Sequence, residues 1–330
     1  MQSALLALAI AALSLLAPAV QAQQPVVVKL SHVNTDNTPK GVAANRFKEL
    51  ATKYLGDRVK VEVYPNSTLF GDAQEMEALL LNDVQIIAPS LSKFERYTNK
   101  LQVFDLPFLF NDPEAVTRFQ ASEEGQKLLG SIKNRGYLGL GYIHNGMKQL
   151  SANRSIRMPD DAKGLRIRIQ PSKVIEEQYH AVGARPQKLA FSEVYQALQT
   201  GVVEAQENSW TSMYTMKFFE VQPHITETNH GMMSFMVTVS ARWWEGLPAD
   251  LRNGLSRALD EASREANTLA EKMHQDNKNR IVASGRSEII TLTDEERKAW
   301  HQAMQPVWRK FEAPIGAQLI EAAQKANHGS

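Results

Sequence analysis

The sequence contains no cysteine. That excludes disulfides, thiolate metal sites, cysteine nucleophiles and a lipid-modified N-terminal cysteine. A charge imbalance is missing too. The chain carries 37 Lys and Arg against 36 Asp and Glu, a formal net charge of +1, so neither nucleic acid nor an anionic membrane surface is suggested as a partner. Long apolar runs are confined to Leu5–Val20, which is too short and too Ala-rich for a membrane span. Catalytic signatures are also wanting. There is no Gly-x-Ser-x-Gly elbow, no His-Glu-x-x-His, no phosphate loop and no EF-hand loop. Gly139 and Gly141 have no glycine partner at position 144, so a dinucleotide fingerprint fails. The eight histidines show no metal-ligand spacing, and His144 and His230 read as structural. Asp160-Asp161 and Glu176-Glu177 fall in turns or on exposed helix faces, where solvation explains them. No cofactor and no metal are expected.

At 330 residues the chain is long for one core, which favours two lobes. The run Leu5–Val20 leads into small residues at Pro18 to Ala22 and reads as a secretory signal cut after about Ala22, although no Lys or Arg precedes it. The mature chain is therefore expected in the periplasm, soluble and not membrane-embedded.

The periodicity alternates between strand and helix. Val26–Leu30 is a strand, and Thr38-Pro39 opens a helix as cap and first residue, with Phe47, Leu50 and Tyr54 on its inner stripe. Val59, Val61 and Val63 mark a second strand. Asp72 is read as the cap of the next helix, with Glu75 completing a capping box. Val84–Ala88 is a third strand, and this β-α-β-α-β order implies a mostly parallel sheet covered by helices. Leu138–Ile143 is expected as a strand that ends at a turn, Asn145-Gly146. Ser172 and Ser192 are read as helix caps, Val202–Gln206 and Met232–Val239 as strands, and Pro248 to about Ala283 as one long helix. Thr293 and Glu296 form a capping box for a C-terminal helix bearing Trp300, Met304, Val307 and Trp308. No linker or repeat interrupts the chain, so crossing strands are expected to join the lobes.

The stretch Gly164 to Gln170 is unusual. Leu165, Ile167 and Ile169 alternate with Arg166, Arg168 and Gln170, which puts two guanidiniums on one face of a strand. A sheet margin in water would explain them, and so would a cleft that receives a carboxylate or phosphate. Lys148 after its turn and Asn208 at a strand end would converge with this strand on the crevice outside the carboxyl ends of the sheet. Phe191 and Trp210 lie nearby in sequence, and the set suits a small organic anion. Each also has a plain structural reading: Lys148 as a turn lysine, Asn208 as a turn former, and Phe191 and Trp210 as packing.

Several stretches together resemble a known family. They include Ser31-His32 with Thr38-Pro39-Lys40-Gly41, Tyr64-Pro65-Asn66-Ser67, Phe104-Asp105-Leu106-Pro107-Phe108, Asn145-Gly146-Met147-Lys148-Gln149, Lys163 to Arg168, Phe191 to Gly201, Gln206-Glu207-Asn208 and Thr228-Asn229-His230-Gly231. They cover essentially the whole mature chain. The sequence resembles the substrate-binding proteins of tripartite ATP-independent periplasmic (TRAP) transporters, the DctP family, and most of all its C4-dicarboxylate-binding type. The resemblance implies an α/β, two-lobed periplasmic solute-binding fold with crossing hinge strands and a long helix spanning both lobes. Residues 23–145 plus about 234–273 would form lobe I, and 146–233 plus about 274–330 lobe II. It assigns the carboxylate clamp to Arg168 over Arg166, with Lys148 as a second cation, and Asn208 and Phe191 completing the shared pocket. Lys148, where sialic-acid binders often carry arginine, leans away from that ligand. Ser209-Trp210 replaces a common Asn-Pro, so Trp210 is expected to reshape one wall. His32, Lys40, Ser90 and Ser92 are expected first-lobe contacts.

The reading is a non-catalytic receptor, a monomer, for a small organic acid, most of all succinate, malate or fumarate. It would close on its ligand and dock on TRAP membrane subunits. Longer dicarboxylates, 2-oxo acids, and cyclic or sugar acids stay open as ligands. Acting as an enzyme on such an acid, or as the partner of a sensor kinase, also stays open.

Overall fold

The computed structural model describes residues 24–328; the expected signal segment, 1–22, lies outside them. In chain order the first half holds β1 (Val26–Ser31), α1 (Pro39–Leu55), β2 (Val59–Tyr64), α2 (Glu75–Leu80), β3 (Ile86–Ile87), α3 (Pro113–Ala121), α4 (Glu123–Leu129) and β4 (Tyr137–Ala152). Then follow β5 (Arg166–Ile169), α5 (Lys173–Ala181), β6 (Arg185–Lys188), α6 (Val194–Gln199), β7 (Ala205–Ser209) and α7 (Trp210–Thr215). The chain continues through β8 (His224–Glu227), β9 (Met232–Ser240), α8 (Ala241–Gly246), α9 (Ala249–Ser284) and β10 (Glu288–Thr291), and ends in α10 (Asp294–Met304), α11 (Pro306–Ile315) and α12 (Ala317–Lys325).

Local chemistry sets most of these boundaries. The Thr38 hydroxyl accepts the Gly41 N–H and Ser172 accepts that of Ile175, while Thr293 and Glu296 form the reciprocal box before α10. Ser192 does not cap: the Glu193 carboxylate accepts the Ala190 N–H at 2.9 Å, and a 3₁₀ turn runs from Phe191 to Glu193. The last helix is broken before Pro306, whose ring would clash with the preceding turn and whose nitrogen cannot donate.

The strand order is β2-β1-β3-β9-β4-β7-β5-β6, with β8 beside β4 and β10 beside β8. β1 is parallel to β2 and β3, and β9 runs antiparallel between β3 and β4. The organising element is β4, 16 residues long. Residues from Tyr137 to Met147 pair with β9, whereas Lys148 to Ala152 pair with β7, and the last three of these also with β8. One strand thus belongs to both lobes. It does not end at Ile143 as expected from sequence. The Asn145-Gly146 dipeptide is a bulge in the register, not a turn, because β9 pairs on both sides of it. Gly146 has φ +105, and a Cβ there would lie 2.0 Å from Nδ1 of His274 on α9, so the helix can approach only where the strand has no side chain.

Each lobe is a three-layer stack. In one, Val28, Phe47, Leu50, Val237, Leu255 and Leu259 fill the face under α1 and α9, while Phe94, Phe104, Phe119, Tyr142 and Met236 fill the other. Residues of α11 and α12, such as Phe311 and Ile320, join the second of these clusters. In the other lobe Ile167, Ile169, Tyr179 and Trp300 pack on one face, and Phe191, Leu198, Trp210 and Ile281 on the opposite one. The 36 residues of α9 touch α1 in one lobe and α7 in the other. No helix among the described residues is long and apolar enough to cross a membrane.

Candidate ligand-binding site

The lobes meet along a cleft. Ser90 donates to Gln170 Oε1, the Phe191 N–H to Asp72 Oδ2 at 3.2 Å, the Lys173 N–H to Glu95 at 2.7 Å, and the Ser172 hydroxyl to Asp105 at 2.8 Å. Between the lobes lies a small cavity whose lining includes Lys40, Asp72, Glu75, Ser90, Lys93, Arg168, Gln170, Phe191 and Asn208.

Arg168 is its main feature. The strand β5 is flanked by β7 and β6, and Ile167 and Ile169 face the Tyr179 side, which turns Arg168 toward Phe191. Arg166 shares that face but sits at the open start of the strand. It is exposed, beside Glu204 at 3.6 Å. Arg168 is 1% exposed. Its Nε and Nη2 donate to the Leu189 carbonyl at 3.1 and 2.9 Å, and Nη1 has no partner among the described residues. Burial lowers its pKa from the ordinary arginine value, although Asp72, Glu207 and Glu193 act in the opposite direction. A guanidinium in this setting, ion-paired to no side chain among the described residues, with a free N–H on the cavity, is arranged to accept an anion.

Asn208 on β7 and the Phe191 ring, 6.0 Å from the Arg168 guanidinium carbon, line the same cavity. Lys40, on the first turn of α1, faces it from the other lobe with its ammonium 3.5 Å from the Phe235 ring centroid. Ser90 also lines it.

Four expected residues are not brought to the cavity lining. Lys148 lies in β4 beneath it, buried, with Nζ 3.0 Å from Glu207 Oε2; Glu207 also bonds His230 Nε2 at 3.0 Å. Burial alone would raise the Glu207 carboxyl, but Lys148 and His230 hold it at about 2. Lys148 is thus neutralised by its own acid, which the reading of it as a turn lysine could not show. Trp210 starts α7 and packs into the core on the Phe191 side, with Lys278 5.7 Å from its ring. His32 is wholly buried in the loop after β1, and burial beside Lys40 pushes it down to about 3. Ser92 donates to Asp105 at 2.6 Å.

The cavity also contains residues that the sequence did not single out. Asp72 is not a helix cap: it is buried and ion-paired with Lys93. Glu75 begins α2 and turns inward, 1% exposed. Asn34, Gln170, Ser212, Met233 and Phe235 complete the wall. The only sequence hint was Asp72 and Glu75 at a helix start, which is where exposed acids are also common.

Fold and site together define a class: a two-lobed solute receptor with a charged cleft between its lobes. The family model of bacterial extracellular solute-binding proteins, family 7 (DctP), matches residues 30–314. The chain is 52% identical over 303 residues to the C4-dicarboxylate-binding periplasmic protein DctP of Shewanella loihica, covering 92% of this chain and 90% of that one. It is 49% identical to the protein of the same name from Vibrio cholerae, covering 92% and 91%. A solved TRAP periplasmic solute-binding protein from Shewanella oneidensis, with bound succinate, superposes with a TM-score of 0.91 at 53% identity, covering 92% of this chain and 99% of that one. One from Pseudomonas aeruginosa with bound L-malate gives 0.85 at 50%, covering 87% and 100%. The chain belongs to the DctP family of TRAP transporter substrate-binding proteins.

Proposed function

We propose that this protein captures a C4-dicarboxylate, succinate, malate or fumarate, in the periplasm and presents it to the membrane subunits of a TRAP transporter. The observation that carries the reading is the buried Arg168 guanidinium, ion-paired to no side chain among the described residues and facing Lys40 and Lys93 across a small cavity. Cations at both ends suit an anion with two carboxylates a few bonds apart. The relatives' printed ligands support the same size and charge.

Arg168 takes one carboxylate through the N–H groups not given to Leu189, and Asn208 adds an amide. Lys40 and Lys93 take the other. Phe191 and Phe235 close the sides and exclude water. Closure removes the water that solvates Arg168 in an open cleft, a cost that a paired anion offsets. The ligand therefore favours the closed state by differential binding, and the motion is a hinge. Lobe I (23–145, about 234–273 and, unlike the division expected from sequence, α12) moves against lobe II (146–233 and about 274–316) about β4. The switch of β4 partners at Met147 and Lys148 supports this division, and α12 travels with lobe I, since it packs on α3. The mature chain starts after about Ala22 and works as a monomer, a receptor and not an enzyme.

A thermal-shift panel of mono- and dicarboxylates on the mature protein tests the reading. Succinate, malate or fumarate should raise the melting temperature most. A panel in which only monocarboxylates or sugar acids stabilise the protein would overturn the dicarboxylate assignment.

A further inference from the structure

The cavity holds more charge than a two-ended clamp requires. Arg168, Lys40 and Lys93 face Asp72 and Glu75. Asp72 is satisfied by Lys93 and by the Phe191 N–H. Glu75 is not: its Oε1 has no hydrogen-bond partner among the described residues. Lys40, 2% exposed, lies against the Phe235 ring instead of in an ion pair. Burial acts on both, lowering Lys40 to about 7 and raising Glu75 to about 7, and their mutual attraction opposes it. The pair can stand as ammonium and carboxylate or as amine and acid. Either way the pair is neutral.

The remaining charges are Arg168, Lys93 and Asp72, a surplus of one positive charge. A ligand dianion turns that surplus into a deficit of one, inside a cleft closed to water. An uncompensated buried charge is unfavourable, and one more proton makes the assembly neutral. We propose that closure on a C4-dicarboxylate takes up one proton from solvent, held on the Glu75 carboxyl, so that Lys40 stays charged for the ligand. The inference rests on the dicarboxylate reading above.

The other groups near Glu75 are poorer sites. Lys93, on the 3₁₀ turn Leu91–Arg96, is ion-paired with Asp72, and Lys40 on α1 is the other half of the pair. Asp72, in the loop before α2, is engaged by Lys93. His32, after β1, would place a second cation beside Lys40. Arg168 on β5 does not titrate, and Glu77 on α2 faces solvent. Asp105, raised to about 6 by burial, accepts from Ser92 and Ser172 outside the cavity lining, and it serves as the control carboxyl.

A proton taken up on binding makes affinity fall as pH rises, by up to tenfold per unit between the Glu75 pKa in the free and bound forms. A monoanion of similar shape, such as succinamate, leaves the cavity neutral without an added proton.

Calorimetry of succinate in buffers of different ionisation heat, near pH 7.5, reads the proton count. The native protein should take up about one proton with succinate and about none with succinamate. Glu75→Gln should still bind succinate, take up about none, and lose the pH slope. Succinate binding without proton uptake overturns this inference alone. Uptake that persists undiminished in Glu75→Gln moves the proton to Lys40, to the ligand or to Asp105, and overturns the assignment. If the variant does not fold, the contrast between succinate and succinamate on the native protein decides. No binding of any dicarboxylate overturns the ligand reading and this inference with it.

Discussion

Replacing Arg168 by methionine separates the clamp from the scaffold. Methionine keeps the length and apolar contact of the side chain and removes every donor. The loss can be worked from the site. Two charge-assisted hydrogen bonds to a carboxylate are each worth about 1.5–3 kcal/mol, so the variant should lose about 3–6 kcal/mol of binding, roughly two to four decades in Kd. Stability of the ligand-free protein should change far less. The Leu189 carbonyl loses its donors, which costs about 1–3 kcal/mol if it stays buried, but removing a charge that closure would desolvate offsets part of that. The melting temperature should therefore move by only a few degrees, at roughly 2–4 °C per kcal/mol for a chain of this size. Titration calorimetry gives the first quantity and thermal denaturation without ligand the second. Near-native affinity would remove Arg168 from the clamp. Loss of binding together with gross destabilisation would make it a structural residue. Arg168→Lys, which keeps the charge but not the planar fork, should be impaired by at least about tenfold.

Other expectations concern the frame around the cavity. Lys148→Met leaves the buried Glu207 with His230 as its remaining partner, so urea denaturation should show a loss of about 3–5 kcal/mol, much of it recovered in Lys148→Met combined with Glu207→Gln. Because the Glu207 pKa is lowered to about 2, its contribution is present above the ordinary carboxylate range and should disappear as pH falls from about 4.5 to about 2; a native-like acid profile in Glu207→Gln would contradict this. Gly146→Ala forces a Cβ onto the His274 ring at a positive φ, and should lower the melting temperature, with partial rescue by His274→Ala. X-ray scattering should show compaction on adding succinate, and an unchanged radius of gyration at saturation would count against a closing cleft.

Helix caps and strand periods were legible because they are local. Thr38-Pro39, Ser172 and Thr293 with Glu296 carry their own hydrogen-bond partners within three residues, and the proline-free stretch after Pro248 became one helix. Arg168, Asn208 and Phe191 were also named from sequence, with help from the family resemblance, and they line one cavity. Asp72 and Glu75 were misread because acids at a helix start look alike whether they face water or a neighbouring lobe. Lys148 was misplaced for a related reason. Asn145-Gly146 reads as a turn on its own, and only pairing with β9, some ninety residues later, makes it a bulge within a longer strand.

Alternation put Arg166 and Arg168 on one face and could go no further. Burial distinguished them, and burial depends on what covers each end of β5. Phe191 and the opposite lobe cover Arg168, while Arg166 stays at the open edge with Glu204. The sequence by itself determined most of the elements, their order and a strand that carries two arginines on one face. The tertiary structure alone decided which charges share the closed cavity, because that balance is set by residues such as Lys40, Glu75 and Arg168, which only folding brings together.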